Sequence, residues 1–529
     1  MTLRKTMTRL ALAATSSSVV VFLLASCLNP AYDVVLRNGT VVDGSGAVGF
    51  VADVAFTNGR ITAIGDLGRG QGTTELDVSG LYVAPGFVDT HSHAGSGLTT
   101  PGLSHARPLL AQGLTTVVVN PDGGGPVDMA AQAAALEADG LGVNVAQLVP
   151  HGSVRREVIG MADRAPTDDE LDRMRALVRS GMEAGAWGLS SGTFYAPGSY
   201  SDNDELVELG KEVAPFSGFY TSHIRDESSY TIGVVAAVDE VIEVGRLAGI
   251  PAVVTHIKAL GPPVWGTSAE IIGNIEAARE GGARVYADQY PYLASATGLG
   301  AALLPRWSQA GGSDSLMARL DDPTTRARIR EAMVENLARR AGPEAIQFRR
   351  FSPDPSIEGR RLSDLARERG EHPLDVALDL LEQGGASIVS FNMSDEDVNA
   401  FMVQPWTMTS SDGDLPEMGV GVPHPRSYGA FARKLAHYVF DEGVVTLEAA
   451  IRSMTSLPAE VMGMDDRGLL ETGRVADVVV FGPDIRDNAT FTDPHQLSSG
   501  MLHVFLGGEA AILDGEFQPD LLGEVLKRN

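Results

Sequence analysis

The sequence predicts an α/β protein: a (β/α)8, TIM-like barrel with a small β-sandwich domain built from the N- and C-terminal segments. Three observations lead there. Short β-rich runs alternate with helical stretches through the middle of the chain, as in a parallel sheet with crossover helices. Strand-and-turn texture occupies the first part of the chain and returns at its end. The 529 residues exceed the needs of one barrel, for which roughly 250 residues suffice. The expected division is a targeting segment over 1–26, a first β part over 27–84, a barrel over 85–465 with an excursion near 303–360, and a second β part over 466–529.

The N-terminus carries Arg4, Lys5 and Arg9, then an apolar, acid-free run ending in Leu24-Ala25-Ser26-Cys27. The run is short for a membrane span of about 20 apolar residues. It has the layout of a secretory signal, and its end resembles a bacterial lipobox. That resemblance implies export and a lipid anchor at Cys27, on the periplasmic side of an envelope or at the cell surface. Cys27 is the only cysteine, so no disulfide forms within the chain. Hydrophobic content of 44% and charged content of 21% are ordinary for a folded protein. A formal net charge of −27 argues against nucleic acid as a partner, because phosphate contacts need concentrated positive charge.

From residue 33 the pattern is β. Asn38-Gly39 and Asn58-Gly59 each lie between two β-rich runs, and each predicts a hairpin. Strands follow over 74–78 and 81–84. The middle of the chain then reads as strand over 115–119, helix over 130–138, strand over 143–149 and helix over 168–186, with Thr167 as N-cap. Strand-like residues 188–191 and 219–223 come next, then a helix over 234–248 and a strand over 252–256. A helix over 269–280 and a strand over 285–288 complete the alternation. Residues near 303–360 break the rhythm and predict a helical excursion over the barrel mouth. Beyond residue 473 the β texture returns, and its strands are expected to pair with those of the N-terminus.

In such a barrel, chemistry gathers at the C-terminal ends of the strands. Those positions hold His91 and His93, Asn120-Pro121-Asp122, His223, His256 and Ser410-Ser411-Asp412. His91 and His93 are two apart, a spacing that turns both imidazoles to one face of an extended chain. Neutral imidazoles and carboxylates suit Zn²⁺ or a similar divalent ion. One histidine at a strand end is usually structural. Four of the chain's 11 histidines, with two carboxylates, at successive strand ends point to one or two metal ions.

Several segments together carry a family resemblance. They are Pro85-Gly86-Phe87-Val88-Asp89-Thr90-His91-Ser92-His93, Thr221-Ser222-His223-Ile224-Arg225-Asp226-Glu227, Thr255-His256-Ile257-Lys258, Asp288-Gln289-Tyr290-Pro291-Tyr292, Ser411-Asp412-Gly413 and His424-Pro425-Arg426-Ser427-Tyr428-Gly429. From about residue 32 onward the chain resembles the amidohydrolase superfamily, and within it the N-acyl-D-amino-acid deacylase (D-aminoacylase) branch. The resemblance implies that His91 and His93 bind one metal with Asp412, and that His223 and His256 bind the other. It implies that Asp412 is also general base and acid, and that Lys258, Tyr290 and Arg426 hold the free α-carboxylate of a small-molecule substrate. A planar guanidinium fork beside a lysine suits a carboxylate. The chain departs from the branch at Asp122, where a metal-binding cysteine is usual. A carboxylate there can bind one ion or bridge two, and it leaves no oxidisable thiol at the metal.

The expected reaction is hydrolysis of an amide next to a free carboxylate, in N-acyl-D-amino acids or D-amino-acid-containing dipeptides. Two other readings remain. A cyclic-amide hydrolase of the dihydropyrimidinase type usually carries a carboxylated lysine between its metals, and no lysine stands at a matching strand end. A non-catalytic, lipid-anchored binding protein would not need all four histidines and Asp412.

Overall fold

The computed structural model describes residues 31–528, so the targeting segment and Cys27 lie outside the described residues. Five strands open the fold: β1 (Tyr32–Val41), β2 (Phe50–Thr57), β3 (Arg60–Gly65), β4 (Gly72–Asp77) and β5 (Tyr82–Pro85). The expected hairpin at Asn58-Gly59 joins β2 to β3, with Thr57 opposite Arg60 and both turn residues at positive φ. The one expected at Asn38-Gly39 does not form. β1 runs straight through it, with a bulge between Leu36 and Gly39 against β2. Asn38 adopts a φ of 60°, and its N–H donates to Asp53 Oδ1 at 2.9 Å. The left-handed residue that would have reversed the chain instead makes a bulge, because Asp53 on the neighbouring strand holds it in the ladder.

Seven parallel strands follow: β6 (Phe87–Asp89), β7 (Leu114–Val119), β8 (Asn144–Pro150), β9 (Gly188–Gly192), β10 (Phe219–His223), β11 (Ala252–Val254) and β12 (Val285–Gln289). They lie side by side in chain order, joined by crossover helices such as Asp168–Glu183 and Val234–Ala248. The Asp168–Glu183 helix starts at a capping box formed by Thr167 and Glu170. Alternation sorts the side chains of β7. Val118 faces the barrel interior with Val88, Leu148, Val253 and Met408, while Val117 and Val119 pack in a different cluster.

The chain then leaves the barrel for an insertion with its own core, packed around Leu303, Ile329, Phe348 and Leu378. Its strands β13 (Ser295–Gly298), β14 (Ile346–Arg350) and β15 (Ser387–Ser390) form an antiparallel sheet in the order β13-β15-β14. The excursion is therefore longer than the 303–360 expected and contains a sheet as well as helices. Its strands are short and partly polar, so they carry no periodic signal. The eighth barrel strand, β16 (Thr407–Thr409), pairs with β12. The loops after β16 and β6 close the ring: the His93 N–H donates to Gly413 O at 2.8 Å, and the Asp412 N–H to His91 O at 2.9 Å.

Beyond the barrel lie β17 (Val478–Arg486), β18 (Ser499–Leu506), β19 (Glu509–Leu513), β20 (Glu516–Phe517) and β21 (Val525–Leu526). β17 pairs antiparallel with β5, so the two chain ends form one nine-stranded sheet in the order β20-β19-β18-β17-β5-β1-β2-β3, with β4 beside β1. Its core brings Leu36, Val54 and Phe56 from one end of the chain against Val478, Val480 and Phe505 from the other. β21 returns to the barrel and pairs with β8.

Candidate active site

The strand-end residues converge. His91 and His93 follow β6, Asp122 follows β7, His223 ends β10, His256 follows β11 and Asp412 follows β16. Asp122, His256 and Asp412 have φ of 57°, 36° and 48°, a strained region for any residue with a Cβ. Such strain concentrates at functional sites, where surrounding structure over-determines the backbone. Asp89 and Asp288 supply part of that constraint. Asp89 is fully buried and accepts the N–H groups of His91 at 3.2 Å and Ser411 at 2.9 Å. Burial pushes its carboxyl up to about 6, against the bonds from Ser411 and His91. Asp288 accepts the His256 N–H at 2.8 Å and the Ser410 hydroxyl at 2.7 Å.

Two donor sets result: His91, His93, Asp122 and Asp412, and Asp122, His223 and His256. Asp122 belongs to both. Its Oδ1 lies 3.4 Å from His91 Nε2 and 3.6 Å from His256 Nε2, and its Oδ2 lies 3.4 Å from His93 Nε2 and 3.7 Å from His223 Nδ1. Asp412 Oδ1 approaches His93 Nε2 at 3.2 Å and His91 Nε2 at 3.6 Å. Both ring nitrogens of His91 and of His223, and Asp122 Oδ1, are buried without a hydrogen-bond partner. Each such group costs about 1–3 kcal/mol unless something satisfies it. Imidazole and carboxylate donors crowded together and otherwise unsatisfied fit divalent metal ions.

Charge in the cluster is strongly coupled. Burial works against ionisation of Asp412, but Arg426 and the histidines outweigh it and hold its carboxyl well below the usual range. The cavity wall disfavours a charged His93, yet Asp122 and Asp412 raise it to about 9. Burial and Lys258 oppose a charged His256, yet Glu227 and Asp122 raise it also to about 9.

The three residues expected at a substrate carboxylate also meet. The Lys258 ammonium lies 5.6 Å from the Tyr290 ring centroid and the Arg426 guanidinium 4.7 Å from it. Arg426 Nη1 comes within 2.7 Å of Asp412 Oδ2, but without hydrogen-bond alignment, so that nitrogen lacks a partner. All of them line a cavity of about 510 Å³ at the barrel mouth.

Glu227 was not among the residues expected to act. It is buried, pairs with Lys258, and lies 3.1 Å from His256 Nδ1 and 3.6 Å from His223 Nε2. In the sequence it ends an Arg225-Asp226-Glu227 run, which looks like surface charge. The only signal was its place four residues past a strand-end histidine. Arg340 and Arg349 of the insertion also line the cavity. Lys211 does not approach it. It sits on the helix Asn203–Val213, paired with Glu208 at 2.6 Å.

A parallel barrel with this donor set at its strand ends defines the scaffold of a metal-dependent hydrolase. The chain belongs to the amidohydrolase family, whose model matches residues 74–512, and within it to the D-aminoacylase branch. It is a hydrolase acting on carbon–nitrogen bonds. It is 34% identical to a D-aminoacylase of Alcaligenes xylosoxydans xylosoxydans over 525 residues, 94% of this chain and 98% of that protein. It is 34% identical to the crystal structure of an N-acyl-D-glutamate deacylase from Bordetella bronchiseptica, complexed with zinc and a phosphonate mimic of the tetrahedral intermediate. That match covers 94% of this chain and 99% of that one, with a TM-score of 0.81. An L-hydantoinase (dihydropyrimidinase) from Arthrobacter aurescens, 16% identical with a TM-score of 0.55, shares the fold alone.

Proposed function

We propose that this enzyme is a zinc-dependent deacylase of N-acyl-D-amino acids. The observation that carries the reading is the meeting of two donor sets with Lys258, Tyr290 and Arg426 in one cavity. His91, His93, Asp122 and Asp412 would hold one ion, and Asp122, His223 and His256 the other. Bound zinc supplies Lewis acidity to the scissile carbonyl and acidifies water. Lys258, Tyr290 and Arg426 anchor the α-carboxylate and so fix where the amide falls. Arg426, beside Asp412, keeps that carboxylate ionised and able to take a proton from the attacking water. Asp412 then returns the proton to the leaving amine. Preference for the D-configuration rests on the D-amino-acid deacylases that the chain resembles. An aminoacyl group presents the same bond, which makes D-amino-acid-containing dipeptides a second substrate class.

The test is turnover of N-acetyl amino acids of both configurations by metal-stripped and zinc-restored enzyme. Activity is expected only with zinc and mainly on D-substrates. Asp412→Asn is expected to lower kcat by about 10²–10⁴-fold. Full turnover by that variant would remove Asp412 as the base, and no turnover by the native enzyme would favour a binding protein. We also place the enzyme at the cell envelope, anchored through Cys27. Fractionation of native and Cys27→Ala protein tests this: the native chain should follow the membranes and the variant should not.

A further inference from the structure

Four lysine and arginine side chains line the cavity: Lys258, Arg340, Arg349 and Arg426. Three face a carboxylate of the protein: Lys258 faces Glu227, Arg349 faces Asp414 and Arg426 faces Asp412. Arg340 does not. It is 2% exposed, and its Nε donates to the Tyr230 hydroxyl at 2.8 Å. Its Nη1 reaches only Ser295 Oγ, at 3.5 Å. No carboxylate among the described residues is within ion-pair reach of it.

A second guanidinium lies behind it. Arg306 stacks 3.7 Å from the centroid of Phe194, and Arg340 shares that ring at 5.9 Å. Both also face Tyr230, each at 5.7 Å. Arg306 Nη2 is buried without a partner. Asp226 acts on Arg306 through its charge, but its oxygens are taken by the N–H groups of Ser228, Thr231 and Gly233. Two like charges thus share two aromatic rings, and the rings offset only part of the cost of burying them. The unpaired charge that borders the cavity is Arg340.

We propose that Arg340 is a specificity-determining residue that binds a second carboxylate of the substrate, distinct from the α-carboxylate. The inference rests on the deacylase reading above and narrows it to dicarboxylic N-acyl-D-amino acids. The second carboxylate sits either on the amino-acid side chain or on the far end of the acyl group. A guanidinium held by Tyr230 and its rings is pre-oriented for a carboxylate, and none of its charge is spent on the protein.

Isosteric pairs that differ only in charge test it. N-acetyl-D-glutamate against N-acetyl-D-glutamine reads the side-chain arm. N-succinyl-D-alanine against its terminal amide reads the acyl arm. On one arm, kcat/KM of the native enzyme should favour the charged member at least about tenfold. Arg340→Met should abolish that ratio, and Arg340→Lys should restore part of it. The ratio separates recognition from a structural strut, whose loss would lower both members alike. Native enzyme with no charge preference on either arm, or a preference that survives Arg340→Met, overturns the proposal. Should Arg340→Met fail to fold, the native ratios and Arg340→Lys still decide. Calorimetric binding of the same pairs reads the preference even if none is hydrolysed, which would sink the deacylase reading separately.

Discussion

Asp122 belongs to both donor sets, and its two oxygens face the histidines of each. Placing one carboxylate among four imidazoles has a consequence for protons. Ligand histidines must lose their protons before they bind an ion. Without metal, His93 and His256 are held protonated at neutral pH, each raised to about 9 by neighbouring carboxylates. Zinc therefore competes with protons. Apparent zinc affinity should rise with pH up to about 9, and binding should release protons to the buffer. Equilibrium dialysis and calorimetry in two buffers measure both effects, and an affinity that is flat with pH would contradict them. At this scale much was legible, because each histidine and aspartate follows an apolar run and stands out. Glu227 was not, since a carboxylate within a charged tripeptide differs from surface charge only by what lies across the barrel.

The β6 segment is set by one close approach. A Cβ at Gly86 would lie 2.2 Å from Thr115 Oγ1, 2.5 Å from its Cγ2 and 2.9 Å from its Cβ. All three atoms of that side chain are in the way, so no rotamer of Thr115 relieves the contact. Gly86→Ala should cost about 1–3 kcal/mol, read by urea denaturation. It should also lower zinc content, because β6 carries the chain into His91 and His93. A variant that unfolds with the native midpoint and binds native amounts of zinc would show that β6 has room to shift. Most elements were legible here. The helix Val234–Ala248 matches its expected bounds, and the capping box at Thr167 is a local signal with local consequences. Asn38-Gly39 was misread because the same dipeptide serves a tight turn or a bulge. Asp53, 15 residues away, decided between them.

The whole molecule joins distant parts of the chain. β17 lies between β18 and β5, so the N-terminal strands have no complete sheet until residues beyond 477 arrive. A chain ending at Asp477 should fail to accumulate as folded, soluble protein, as judged by yield and circular dichroism. Soluble product with native zinc content would show that the barrel folds without its partner sheet. The insertion between β12 and β16 likewise contributes to the site, since Arg340 and Arg349 reach the cavity from it.

By itself the sequence determined the class of fold, the strands whose ends carry histidine and aspartate, and the meeting of the two chain ends in one small β domain. These rest on hydrophobic periodicity and on residue types that chemistry needs, both readable over a few neighbours. Only the tertiary structure decided that Asp122 faces both donor sets, that Glu227 pairs with Lys258, that an insertion walls the cavity, and that Arg340 has no protein carboxylate to face. Each of these is a distance between segments far apart in the chain. Barrel closure and the packing of the insertion set those distances, and no local pattern encodes them.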